Sequence, residues 1–138
     1  RREYCKGETM SNDNDSRVYS NRHLWALPNT KKKTATIGIS DFLAEELGEI
    51  ASIDMPLVGD ELDMESFCLH LHLSGRIHHL RSPLSGRVLE INEDVQDNSN
   101  LIHLDPYKHW LYKMEYDDTE ELDLLMSSAQ YARFVDQL

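Results

Sequence analysis

The chain has 138 residues, with 14 Lys and Arg against 25 Asp and Glu and a formal net charge of −11. That sign argues against nucleic acid and anionic membrane as partners, because a phosphate-binding surface needs positive potential. The length suits one domain with a real core. The two cysteines, Cys5 and Cys68, make no disulfide framework and fit a reducing compartment.

No run approaches the length of a membrane-spanning helix, and the N-terminus lacks the apolar block of a signal peptide, so the expectation is a soluble cytoplasmic protein. Residues 1–17 are polar, with Ser11-Asn12-Asp13-Asn14-Asp15-Ser16 at their centre, and predict a disordered tail ahead of one domain over residues 18–138. Met10 is a candidate start, which would give the nine residues before it another origin.

Residues 19–27 place His23, Trp25 and Leu27 at alternating positions and predict a first strand, broken by Pro28-Asn29-Thr30. Lys31-Lys32-Lys33 reads as a solvated turn. The β-branched run 34–39 predicts a second strand. Ser40-Asp41 then supplies a helix N-cap, Phe42 to Leu47 a short helix resting on the sheet through Phe42, Leu43 and Leu47, and Gly48 the left-handed stop. Residues 50–55 resume strand character until Pro56.

Pro56-Leu57-Val58-Gly59 and Pro83-Leu84-Ser85-Gly86 share proline, leucine and glycine in register, the pattern that duplication of one strand–turn–strand unit would leave. Between them lies the stretch of most interest, residues 69–81. Leu69, Leu71 and Leu73 alternate with His70 and His72, the period of a half-buried strand, and Ser74-Gly75 reads as a tight turn into a second strand carrying Ile77, His78 and His79. Further on, Asp97-Asn98-Ser99-Asn100 and Asp105-Pro106-Tyr107 are turns, and Trp110, Tyr112 and Met114 alternate as a last strand. Asp118-Thr119-Glu120-Glu121 and Ser127-Ser128-Ala129-Gln130 have capping-box spacing and predict two C-terminal helices. Many short strands with frequent turns predict a mainly β sandwich or flattened barrel of two quasi-symmetric halves, with a short internal helix and a helical C-terminus.

Seven stretches in order carry a resemblance: His23-Leu24-Trp25, Ala35-Thr36-Ile37-Gly38-Ile39-Ser40-Asp41, Leu47-Gly48-Glu49-Ile50, Leu57-Val58-Gly59-Asp60, Ser82-Pro83-Leu84-Ser85-Gly86, Val88-Leu89-Glu90-Ile91-Asn92, and Asp105-Pro106-Tyr107 with Trp110. Over residues 19–138 the chain resembles the H proteins of the glycine cleavage system, relatives of the lipoyl and biotinyl carrier domains. The resemblance implies a lipoyl-type barrel-sandwich hybrid. It also implies a carrier whose lipoyl arm, attached to a lysine at the hairpin tip, moves an aminomethyl group between partner enzymes.

Counting forward from Val58-Gly59-Asp60 and back from Ser82-Pro83 places that lysine's position on Gly75, and no lysine lies between Lys33 and Lys108. The cleft that receives the loaded arm in the family would be formed here by Arg22, Leu24 and His79, which lack carboxylates for a protonated amine. The expectation is therefore a non-lipoylated binding, regulatory or scaffold module that is not an enzyme. It would have no covalent lipoate and would present His72, Ser74, Arg76, His78 and His79 to a protein partner, such as glycine cleavage or lipoate-attaching enzymes. The alternative is a metal-binding protein. With the turn centred at Gly75, His72 would face His78 with His70 beside it, and three imidazoles suit zinc or copper. Against this, the same histidines are what the solvent face of a leucine-anchored hairpin would carry. Cys68 reads as a buried, inert thiol and His23 as a packing residue.

Overall fold

The computed structural model describes residues 17–29 and 31–138. The expectations for residues 1–16, including the candidate start at Met10, lie outside the described residues. Arg17 belongs to the domain: it is buried, with its guanidinium over the rings of Trp25 (4.6 Å) and Tyr107 (5.0 Å).

In chain order the elements are β1 (Val18–Tyr19), β2 (Leu24–Asn29), β3 (Thr34–Ile39), α1 (Asp41–Leu47), β4 (Ile50–Asp54), β5 (Glu61–Leu62), β6 (Phe67–Leu73), β7 (Arg76–Arg81) and β8 (Gly86–Ile91). They continue with α2 (Glu93–Asp97), α3 (Leu101–Leu104), β9 (Tyr112–Tyr116), α4 (Glu120–Asp123), β10 (Met126–Ser127) and α5 (Ser128–Asp136). The strands divide into a seven-stranded sheet, β10-β1-β2-β3-β9-β8-β5, and a three-stranded sheet, β4-β6-β7, with every pair antiparallel. The chain thus forms the sandwich of the expected barrel-sandwich hybrid, without closing into one hydrogen-bonded barrel.

Leu24, Ile37, Ile39, Leu69, Leu71, Leu80, Val88 and Met114 come from both sheets and form one buried core. Alternation along β2 turns Trp25 the other way, where Tyr19 and Tyr131 cover it with Phe134 and Val135 of α5. The two Pro-Leu-x-Gly segments meet in space. Leu62 pairs with Gly86, the Gly59 N–H donates to the Val88 carbonyl at 2.8 Å, and the Val88 N–H to the Asp60 carbonyl at 2.9 Å.

Several boundaries differ from the expectation. The first strand is split by a turn at Ser20–His23, where His23 has φ 71° and the Ser20 N–H donates to the Leu24 carbonyl. Pro28 does not break β2; it pairs with Ala35, and among the described residues β1 reaches along β2 only as far as Ala26, so Pro28 sits where no described strand needs its N–H. On α1 the buried residues are Leu43, Ala44 and Leu47, while Phe42 turns toward His23. Residues 93–97 and 101–104 are short helices seated by Val95 and Ile102, and Trp110 lies before the last long strand. The Ser127 capping box forms as expected, with Gln130 N–H to Ser127 Oγ and Ser127 N–H to Gln130 Oε1. The reciprocal Asp118 box does not form. Asp118 Oδ1 accepts from the Glu120 N–H at 2.9 Å, and the Glu121 carboxylate turns away to accept from the N–H and hydroxyl of Ser85 at 2.7 and 2.9 Å. Among the described residues no helix is long and apolar enough to cross a membrane.

Candidate functional site

The hairpin is closed by two residues. Leu73 pairs with Arg76 around Ser74-Gly75, and Gly75 takes φ +82°, the conformation glycine adopts without penalty. Both tip residues are exposed, and a Cβ built on Gly75 would meet nothing within 4 Å. The tip therefore has room for a side chain that the sequence does not supply.

The register below the tip decides which histidines meet. His72 lies opposite Ile77, Leu71 opposite His78, and His70 opposite His79. Directly opposed residues on paired strands share a face. Hence His78 stands on the leucine side of the sheet, and the trio His70, His72 and His78 is not assembled. A two-residue loop, rather than one centred on Gly75, shifts every pairing by one residue and exchanges His78 for His79.

On the outer face the rings pair off. His70 Nδ1 and His79 Nδ1 are 2.9 Å apart, sharing a hydrogen bond with ring planes at 85°. His72 Nε2 lies 2.6 Å from Asp54 Oδ2 on β4. Phe67 packs on His79 with centroids 5.2 Å apart, and the Arg81 guanidinium lies over the Phe67 ring at 4.5 Å. Among the described residues no group of three or more His, Cys, Asp and Glu is gathered to hold a metal ion.

The free edge of β7 faces the Ser20–His23 turn across a cleft of about 210 Å³, lined among others by Arg22, His23, Leu43, His78, His79 and Arg81. Of the three expected cleft positions, Arg22 and His79 line this space, while Leu24 is buried in the core. Arg22 is 3.7 Å from the Glu65 carboxylate, and Arg81 donates to the Glu65 carbonyl at 2.9 Å. The walls are thus nitrogen-rich. Desolvation is the main cause that lowers the pKa of both His23 and His78, reinforced at His78 by Arg76 and His79. A more open depression of about 450 Å³ runs along α5 past Leu124, Met126 and Arg133 and touches none of the candidate residues.

His23 packs as expected, against Phe42 and Tyr131, and it also has a polar partner that sequence reasoning missed. Its Nδ1 hydrogen-bonds the Tyr131 hydroxyl at 2.8 Å, which also bonds Ser40 Oγ at 2.7 Å, the atom that caps α1. The chain separation of 108 residues left no local signal for that contact. Burial pushes the Cys68 thiol up to about 11, which keeps it protonated and a poor nucleophile.

A sequence model of the family described as "Glycine cleavage H-protein" matches residues 17–138. A glycine cleavage system H protein of Oceanobacillus iheyensis is 34% identical over 119 residues, covering 86% of this chain and 93% of that protein. A probable one from Thermococcus gammatolerans is 31% identical over 121 residues, covering 87% and 90%. Among solved structures, a glycine cleavage system H protein from Mycobacterium marinum superposes with TM-score 0.77 at 24% identity, covering 88% of this chain and 98% of that one, a likeness of fold. On the extent of the family match and the identity to these relatives, the chain belongs to the glycine cleavage H-protein family.

Proposed function

We propose that this protein is an H-protein homologue that docks onto protein partners of the family without carrying a lipoyl arm. H proteins are carriers rather than catalysts, and the chain is not an enzyme. The observation that carries the reading is Gly75. It occupies the tip of an intact hairpin in open space, with no lysine from residue 34 to residue 107. Glycine offers no side-chain amine to acylate, and the surface around it, Ser74, Arg76, His72 and His79, is exposed or half-buried. Partners in this reading are glycine cleavage enzymes or lipoate-attaching enzymes, with which the protein would compete, regulate or scaffold.

The competing metal reading over His70, His72 and His78 is not favoured, because the register sends His78 to the other side of the sheet. Co-expression with a lipoate ligase followed by intact mass measurement tests the docking reading. The wild-type chain is expected to keep its unmodified mass and the Gly75→Lys variant to gain a lipoyl increment, which requires that the attaching enzyme still recognises the hairpin. A lipoyl increment on the wild type would overturn the loss of the arm. A folded but unmodified Gly75→Lys chain would overturn retention of that docking surface.

A further inference from the structure

We infer that His70 and His79 form a two-imidazole site for a divalent transition metal on the outer face of the hairpin, with copper(II) preferred over zinc. The inference does not depend on the loss of the arm. His70 and His79 are directly opposed on paired strands, so the backbone ladder of β6 and β7 fixes their spacing before any ligand arrives. Their Nδ1 atoms are 2.9 Å apart. Two nitrogens bound at about 2.0 Å and at right angles to one another lie about 2.9 Å apart, whereas a tetrahedral angle spreads them to about 3.3 Å. The observed separation thus puts both nitrogens within chelating reach of either ion without strand movement, and the preference for copper(II) follows from the general affinity order of divalent ions at imidazole nitrogens.

Two imidazole nitrogens in this contact share one proton between them; a metal ion takes that proton's place and uses both lone pairs. The rings must swing so that both lone pairs converge, a rotation about χ2 that is broad for histidine. Phe67 packs against the His79 ring at a tilt of 48°. Asp54 pairs with His70 from β4, so a carboxylate stands in the neighbouring row, engaged by His72. With no third ligand gathered among the described residues, the remaining positions fall to water, which makes the site open and exchangeable.

The test is a titration of metal-free protein, purified without a histidine tag, with copper(II) and separately with zinc(II), read by isothermal calorimetry and, for copper, by electron paramagnetic resonance. One equivalent of copper(II) is expected to bind with a two-nitrogen signature, at least tenfold tighter than zinc, on the order of the affinity ranking of these ions. His79→Gln and His70→Gln are each expected to lose at least about tenfold in copper affinity, and His103→Gln, remote on α3, to change less than about twofold. Circular dichroism confirms folding, and the two hairpin variants back each other up should one fail to fold. Copper binding that survives both substitutions, or no saturable binding at one equivalent, would overturn the site.

Discussion

Gly75 and Gly86 sit at the two ends of the same hairpin-to-strand passage, and their surroundings are opposite. Gly86 opens β8, the penultimate strand of the long sheet, paired with Leu62 on one side and Tyr116 on the other. A Cβ there would fall on the Glu115 carbonyl. Gly75 stands at an exposed tip where a Cβ meets nothing. One glycine is required by close backbone approach; the other is constrained only by its positive φ. The tip therefore has space for a side chain that the sequence does not supply, and the fold tolerates a change there that it would not tolerate at Gly86.

The largest effect expected from this contrast is at Gly86. Gly86→Ala should cost at least about 3 kcal/mol, because the obstacle is backbone that cannot rotate away. Urea unfolding measures it, and a loss below about 1 kcal/mol would mean that β8 and β9 separate easily. Next comes Gly38, whose added Cβ would stand 2.5 Å from Trp25 Cζ2. That indole is buried, stacked under Arg17, and donates to the Pro106 carbonyl at 3.3 Å. Gly38→Ala should cost about 1–3 kcal/mol and shift tryptophan fluorescence, since a side chain can yield where a carbonyl cannot.

The same contrast separates what was legible in the sequence from what was not. Where a residue answers to its own neighbours, the reading held: the leucine face of β6, Ser40 capping α1, Gly48 ending it, and the Ser127 box. Where the outcome depended on a distant partner, it did not. Period two places His70 and His72 on one face, but which residues oppose them depends on the loop length, and one residue of register exchanged His78 for His79. Glu121 had a local cap available and bonded Ser85 instead, 36 residues away. Pro28 has the look of a breaker and sits in a strand, paired with Ala35 on one side and with no described strand on the other. Gly75 stands at the tip of the hairpin with positive φ, while its equivalence to the family's modified lysine is what the order of the flanking motifs implies.

Gly75→Lys sharpens the comparison from the other side. Its only penalty is a non-glycine residue at φ +82°, about 1 kcal/mol. Thermal unfolding should show a small downward shift with no change in the cooperativity of the transition. A loss as large as that expected at Gly86 would mean that the tip is packed against something after all.

The smallest effect lies in the cleft beneath the tip. His23 and His78 are held below the usual histidine value of 6.5, by desolvation first in both cases. A lowered value means that the unfolded chain binds protons before the folded one does. These two rings therefore contribute fully above about pH 6.5, and their contribution falls as pH drops from there toward their folded values. Both are half-buried, so solvent moderates the effect. The unfolding midpoint is expected to decline between about pH 7 and pH 5.5, and less steeply in His78→Gln, which removes a ring crowded by Arg76 and His79 as well as desolvated. If His78→Gln leaves the slope unchanged, the His78 ring is not desolvated as its surroundings imply, and the cleft is wetter than its lining suggests.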